Sequence, residues 1–257
     1  MEIISSRTNP VIKAAAALKE ASERKKTGLF LIEGARLCFD AASNGVQVEK
    51  LFITERAAEK YSREFEAVKE NALKSYFISE HIAEKLSDTK NSQQFFAVCR
   101  DTKGTPEIAR DKMYVFCDNI QNPDNLGAIV RTAEALGAAG LIINSGCDIY
   151  SPKALRASMG ALMRFPVIRT ENGSGLLTAL RRDGMEIYGS VVSPDAEKLT
   201  ETEKKGSGVL VIGNEGNGIS EEILSVCTRQ ITIPMKGKAE SLNASAAATI
   251  LIWEFMK

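Results

Sequence analysis

Three segments in the second half of the chain set polar side chains into turns. In NIQNPDNLGAIVRTAEALGA (119–138), Asn125 offers both a hydrogen-bond donor and an acceptor, and Arg131 carries a permanent cation suited to a phosphate or a carboxylate. A helix-capping Asn and a surface Arg would look the same. In GNEGNGIS (213–220), three glycines in six positions let the backbone approach a ligand closely, and Glu215 supplies a carboxylate that a bare turn does not need. The run contains neither a Walker loop nor a GxGxxG fingerprint. In IPMKGKAESLNASAAATILIWEFMK (233–257), Glu240, Ser241 and Asn243 cluster after a Pro–Gly loop, where Asn243 or Ser245 also reads as a plain cap.

The residues in short supply narrow the chemistry. His81 is the single histidine, set in a charged helical stretch (SEHIAEKLSD) away from any Ser-containing glycine turn. A Ser-His-Asp hydrolase and a multi-histidine zinc site are excluded, no metal is expected, and His81 reads as a surface residue. The five cysteines form no CxxC, which fits a reduced, cytoplasmic protein. The opening MEIISSRTNP lacks a charged-then-apolar signal pattern, and no apolar run approaches the roughly 18 residues of a membrane span.

Those turns need a frame to hold them. From 113 onward, short apolar runs alternate with helical stretches: MYVFCD (113–118), a helix from Leu126, GLIIN (140–144), a helix near Pro152–Met159 and FPVIR (165–169). A helix around Gly175–Asp183, MEIYGSVV (185–192), GVLVIG (208–213), a helix from Ser220 and QITIP (230–234) follow. Strands that are apolar throughout imply a parallel sheet covered on both faces. Asp124 or Asn125 is placed to cap the helix at Leu126, and Ser220 the helix that follows it. The last helix is apolar nearly all round, which calls for burial on most sides, in the fold or in a subunit interface.

The first hundred residues read as a smaller α/β domain. Asn9 caps a helix with Pro10 at its first position, running to about Lys26 and broken at Gly28. Strands follow at 29–34, 48–54, 75–79 and 94–100, with a helix near Ala35–Ser43. DTKGTPEIARDK (101–112) is charged, holds Gly and Pro, and lacks apolar periodicity. The expected organisation is a domain at 1–104, a linker at 105–112 and a second domain at 113–257. With 33 basic and 33 acidic residues, the chain is not an indiscriminate polyanion binder. The first 26 residues are locally basic (Arg7, Lys13, Lys19, Arg24, Lys25 and Lys26), as a phosphate-tracking helix or a solvated face would be.

Taken together, the three segments resemble the SpoU/TrmH family of RNA ribose 2′-O-methyltransferases, of the SPOUT class. N-x-G-x-x-x-R appears as Asn125, Gly127 and Arg131. G-x-E-x-x-G appears as Gly213, Glu215 and Gly218, and I-P-M leading to E-S-L-N as Ile233–Met235 and Glu240–Asn243. SSRTNPVIKAAAAL and FLIEGARL are similar to the substrate-binding domain often attached to this family, a small RNA-binding α/β domain of ribosomal-protein type. The resemblance implies a C-terminal parallel sheet with a deep trefoil knot, a homodimer packed through the last helix, and S-adenosyl-L-methionine as cofactor. It implies that Gly213, Ile233 and Leu242 surround the adenosine. Arg131 would lie at the target ribose, holding its phosphate, since a guanidinium is too weak an acid to serve as base. Asn125 and Asn243 would orient nucleotide and loops, Glu215 would anchor Arg131 or Asn125, and Ser241 would meet the target. The appended domain points to 23S ribosomal RNA; a tRNA 2′-O-methyltransferase and a catalytically silent RNA-binding protein of the same fold are the alternatives.

Overall fold

Asn9 and Pro10 open the first helix as their order predicts. The computed structural model describes residues 1–100 and 106–257, and in it Asn9 Oδ1 accepts the Val11 N–H at 2.8 Å. Strand β1 (Glu2–Ile4) comes before helix α1 (Pro10–Ala17). The expected single helix to Lys26 is broken: α1 ends, and α2 (Ala21–Thr27) starts afresh. At the break Arg24 is buried and donates its guanidinium to the Leu18 and Lys19 carbonyls, both at 2.7 Å. Those carbonyls have no partner within the helix, and a cation at a helix C-terminus also meets the negative end of its dipole. Lys19 is likewise occupied, donating to the Lys85 carbonyl at 2.9 Å. Of the basic stretch, Lys13, Lys25 and Lys26 are left exposed.

The chain continues through β2 (Leu29–Glu33), α3 (Ala35–Ser43), β3 (Gln47–Ile53), α4 (Glu55–Lys60), α5 (Ser62–Asn71), β4 (Ala72–Ile78), α6 (Glu80–Leu86) and β5 (Phe95–Arg100). The sheet order is β1-β4-β3-β5-β2, with β5 antiparallel to both neighbours and the other pairings parallel. Phe52 stacks on Tyr76 with ring centres 5.4 Å apart, in a core shared with Ile12, Ile82 and Phe96. His81 on α6 is exposed, as expected.

The second sheet begins with β6 (Met113–Asp118), followed by α7 (Pro123–Ala135) and β7 (Gly140–Asn144). The chain then forms α8 (Pro152–Ala157) and α9 (Ala161–Arg164) before β8 (Val167–Thr170). After α10 (Gly173–Arg182) come β9 (Ile187–Ser190), β10 (Glu197–Lys198), β11 (Gly208–Ile212), α11 (Glu221–Val226), β12 (Arg229–Thr232) and α12 (Ala244–Met256). All pairings are parallel, in the order β10-β12-β9-β11-β6-β7-β8. Every residue of β6 and β11 is buried, which is why these strands are apolar without alternation. The mixed α/β class with a parallel sheet and a separate N-terminal domain is thus as expected, with β1 and the two-residue β10 as additions.

Two compact units result: residues 1–100 together with Tyr150–Arg164, and residues 106–149 together with 165–257. The helical segment Tyr150–Arg164, placed in the second domain by the expected boundaries, lies in the first unit. Tyr150 stacks on Phe30 with centroids 4.2 Å apart, Arg156 pairs with Asp88 at 2.6 Å, and Arg164 with Asp40 at 3.5 Å. Of the expected linker, residue 105 lies outside the described residues and 106–112 form neither helix nor strand.

Within one chain, helix α12 is buried along one side. Ala248, Leu251, Ile252 and Phe255 are buried, and on that side the helix packs against α7 and β11. Trp253, 59% exposed, and Ile250 face outward because no other element of the chain covers them among the described residues.

Candidate active site

The first turn of α7 assigns the Asn residues different tasks. Asn122, not Asp124 or Asn125, is the cap: its Oδ1 accepts the Asp124 N–H at 2.9 Å, and Pro123 takes the first helical position. Asn125 is therefore released from capping and is only 6% exposed. Its Nδ2 donates to Glu215 Oε1 at 2.9 Å. Glu215 reaches in from the loop after β11 and also accepts the Gln121 and Asn122 backbone N–H groups, at 3.1 and 2.9 Å. On the other side, Asn125 Oδ1 accepts Asn243 Nδ2 at 3.0 Å, and Asn243 Oδ1 caps α12 through Ser245 N at 3.0 Å.

Each link orients the next. A carboxylate only accepts, so Asn125 must turn its NH₂ to Glu215 and its oxygen to Asn243. Asn243 must then give its NH₂ to Asn125 and keep its oxygen for the α12 amides. Capping and bridging by Asn243 are thus one arrangement. Burial raises the Glu215 pKa, but hydrogen bonds from Asn125, Gln121 and Asn122 outweigh it and hold the carboxyl below its ordinary range.

The glycine-rich loop owes its shape to close approach. A Cβ on Gly213 would fall 2.2 Å from the Gly218 carbonyl carbon, and Gly218 has φ +71°. Asn214 closes the loop, giving its NH₂ to the Asn119 carbonyl at 2.9 Å and accepting the Gly216 and Asn217 N–H groups. Below it lies a residue that sequence reasoning missed. Asp118, 2% exposed at the end of β6, accepts Asn144 Nδ2 at 2.9 Å and the Ser220 N–H at 2.8 Å. Asn144 Oδ1 in turn accepts the Gly173 N–H at 3.1 Å. Ser220 holds the N-cap position of α11 without a side-chain cap bond, so the expected capping hydroxyl is replaced by this backbone link. The signal was a carboxylate ending an otherwise apolar strand.

At the carboxyl ends of β9 and β12 opens a cavity of about 480 Å³, lined in part by Val191, Val192, Ile233, Met235, Ser241 and Leu242. The ends of parallel strands are where open α/β sheets bind ligands, and this volume suits a nucleoside-sized molecule. Ile233, Ser241 and Leu242 therefore share one cavity, while Asn125, Glu215 and Asn243 share one hydrogen-bond chain that abuts it through the Leu242–Asn243 peptide. Gly213 is not among the lining residues; its place is in the tight loop. Arg131 is exposed and makes no hydrogen bond or ion pair among the described residues, so Glu215 anchors Asn125 and not Arg131. The segment Ser190–Pro194, also in the lining, went unread because its SVVSP run looks like the end of an ordinary strand.

The cysteines offer no competing nucleophile. Burial drives Cys38, Cys99 and Cys117 far above neutrality and pushes Cys147 and Cys227 up to about 11, so all five are protonated thiols at neutral pH.

Residues 112–253 match the SpoU rRNA Methylase family, and residues 9–97 match the MRM3-like substrate binding domain. The chain belongs to the SpoU rRNA Methylase family. This SpoU methylase is 30% identical over 254 residues to the 23S rRNA (guanosine(2553)-2'-O)-methyltransferase RlmP of Bacillus subtilis, covering 98% of each chain. It is 28% identical to the 23S rRNA (uridine(2479)-2'-O)-methyltransferase of Streptomyces viridochromogenes, covering 99% of this chain and 91% of that one. Its fold matches the crystal structure of the SpoU methyltransferase AviRb from Streptomyces viridochromogenes, in complex with the cofactor AdoMet, with a TM-score of 0.84 at 26% identity. That match covers 96% of this chain and 97% of AviRb. The SpoU methylase is accordingly an RNA methyltransferase.

Proposed function

We propose that this SpoU methylase transfers the methyl group of S-adenosyl-L-methionine to a ribose 2′-hydroxyl of 23S ribosomal RNA, acting as a cytoplasmic homodimer. The observation that carries the reading is the Glu215–Asn125–Asn243 chain beside the cavity, which ties all three sequence motifs into one site.

The cavity suits the cofactor chemically. Val191, Ile233 and Leu242 present apolar surface for a base and ribose, and residues of the bends after β9 and β12 line the rest of the wall. When bound, the cofactor supplies an electrophilic methyl group on a sulfonium. The protein's part is then to position the ribose hydroxyl and ease loss of its proton. Arg131, uncommitted among the described residues, is free to hold the target phosphate and polarise the hydroxyl through it. Asn125 and Asn243 stiffen the loops by their mutual bond, Glu215 fixes Asn125, and Ser241 faces the cavity where the target ribose would enter. Gly213 contributes by letting its loop close.

Two further parts of the reading have their own support. Trp253 and Ile250 form an outward apolar face on α12 that a second copy would cover. For the trefoil knot, support comes from the strand order, in which β11 enters between β6 and β9 while β12 lies beyond β9.

The test is methylation with radiolabelled S-adenosyl-L-methionine of unmodified 23S rRNA, ribosomal subunits and tRNA, followed by digestion to nucleosides. Label in a 2′-O-methylnucleoside from 23S rRNA is the expected result. Label in a base overturns the chemistry, label in tRNA alone overturns the substrate, and cofactor binding without any transfer favours a silent RNA-binding protein. Sedimentation at micromolar concentration is expected to give a dimer, and Trp253→Glu a monomer.

A further inference from the structure

The first unit holds a second cavity, of about 550 Å³, that the methyl-transfer chemistry does not use. It is built where the turn between α8 and α9 meets the start of α3 and the 89–93 loop. Three kinds of surface line it. Arg36, Lys90 and Arg156 supply cations; Asn91 supplies a side-chain amide; Leu37 and Met159 supply apolar surface.

Met159 is the informative residue. It is 62% exposed and has φ +48°, a left-handed conformation that a side chain bearing Cβ adopts at a cost. It is followed by Gly160 at φ +83°, whose added Cβ would meet the Asp40 carboxylate at 2.6 Å. The turn is thus pressed onto α3 in a strained form that presents a thioether to open space. Neither the strain nor the exposure stabilises the fold, and a glycine would serve the turn better. Strain held without structural return points to a ligand, and a polarisable, unbranched side chain suits a flat aromatic surface.

The charges agree. Arg36 is tied to Asp40 through Nε at 3.0 Å, and Arg156 to Asp88 through one terminal nitrogen at 2.6 Å, which holds both guanidinium groups in place with donors to spare. Lys90 and Asn91 are exposed and make no hydrogen bond or ion pair among the described residues. The carboxylate of Glu33, on the rim, is already satisfied by the Ser87 and Thr89 hydroxyls and the Asp88 N–H.

We infer that this cavity holds one unpaired nucleotide of the substrate RNA, its base against Met159 and Leu37, its edge at Asn91 and its phosphate at Arg36, Lys90 and Arg156. The inference rests on the proposed RNA methylation and adds a second point of recognition, away from the cofactor cavity, contributed jointly by the N-terminal fold and the α8–α9 turn.

The test uses the full-length protein, a 23S rRNA transcript and the variants Met159→Gly and Lys90→Ala. Both are expected to weaken RNA binding about tenfold while leaving cofactor affinity, and kcat at saturating RNA, unchanged. Lys90→Ala is expected to lower the log–log salt slope by about one, and Met159→Gly to leave the slope as it was. The thermal midpoint of Met159→Gly is expected not to fall, which separates a lost contact from a damaged fold. Wild-type methylation with unchanged RNA affinity in both variants overturns the inference and leaves the proposed function standing. An effect of Lys90→Ala alone also overturns it, in favour of a basic surface without a base pocket. A wild-type protein that neither binds nor methylates RNA overturns the proposed function itself, and this inference with it.

Discussion

Asn243 donates its side-chain amide to Asn125 Oδ1 across 3.0 Å, joining residues 118 positions apart in the chain. Through it, the cap of the last helix and the first turn of α7 share a bond, and Glu215 completes the line. Because each amide must face one way, the network has a polarity that substitutions can test.

Asn125→Asp sets a carboxylate against Glu215 and removes the donor between them, whereas Asn125→Ala only deletes the bonds. The aspartate variant is expected to lose more stability than the alanine variant, by about 1–3 kcal/mol for a buried group left without its partner. Urea unfolding of the two variants checks the order. Equal stabilities would show that the Glu215–Asn125 bond does not form in solution.

Arg131 presents the opposite case. It is exposed and uncommitted among the described residues, so Arg131→Ala is expected to change stability by no more than about 0.5 kcal/mol. Its single-turnover methylation rate at saturating RNA and cofactor is expected to fall by about a hundredfold or more, the scale of losing a positioned charge at a reacting centre. Near-wild-type rates would remove Arg131 from the catalytic assignment.

Glu215 makes the site sensitive to acid. Burial opposes ionisation, but the bonds from Asn125, Gln121 and Asn122 prevail and lower its folded pKa. A depressed carboxylate contributes stability that is fully present above its unfolded pKa and is lost as pH falls through the folded one. Glu215→Gln is therefore expected to be less stable than wild type at neutral pH, with the gap closing below the ordinary carboxylate range. Since Glu215 is largely exposed, solvent screening keeps the effect small. Unfolding curves for both proteins from pH 7 down to pH 3 read it directly; a gap that does not narrow at all as the pH falls would show that ionisation is not what the bonds reward.

Asp118 and Asn144 offer a swap. In Asp118→Asn an amide faces the Asn144 amide, and Asn144 cannot flip without turning its NH₂ toward the Gly173 N–H. One buried bond must fail, at a cost of about 1–3 kcal/mol. In the double variant Asp118→Asn with Asn144→Asp, the new Asn donates to the new Asp, which still accepts Gly173, while Ser220 keeps its acceptor. The second change is expected to recover most of the stability. A double-mutant cycle without coupling would show that the pair does not act together.

Several features were legible before any coordinates. Strands buried on both faces must be apolar throughout, so β6, β7 and β11 could be read almost to the residue. The three motifs lie within short local windows, and the chemistry of Asn, Arg, Glu and Ser at turns does not depend on distant partners. Asn9 and Pro10 likewise act within one helical turn.

Other features rest on partners far away in sequence, and no local pattern reports those. Arg24 belongs to a basic stretch by composition, yet it is buried because carbonyls at the end of α1 need a donor. Asn125 has the position of a cap, and only the capture of that role by Asn122 frees it for Glu215, 90 residues on. The sequence of α12 asks for burial on most sides, in the fold or in a subunit interface, and among the described residues the chain itself leaves Trp253 open. The helices within Tyr150–Arg164 read as part of the second domain until Phe30, Asp40 and Asp88 are seen holding that segment to the first unit. The amino-acid sequence by itself determined which groups were available and the fold class that presents them. Which of those groups meet, and which remain free for a ligand, was decided by the tertiary structure, because hydrogen-bond and packing partners are chosen by proximity in space.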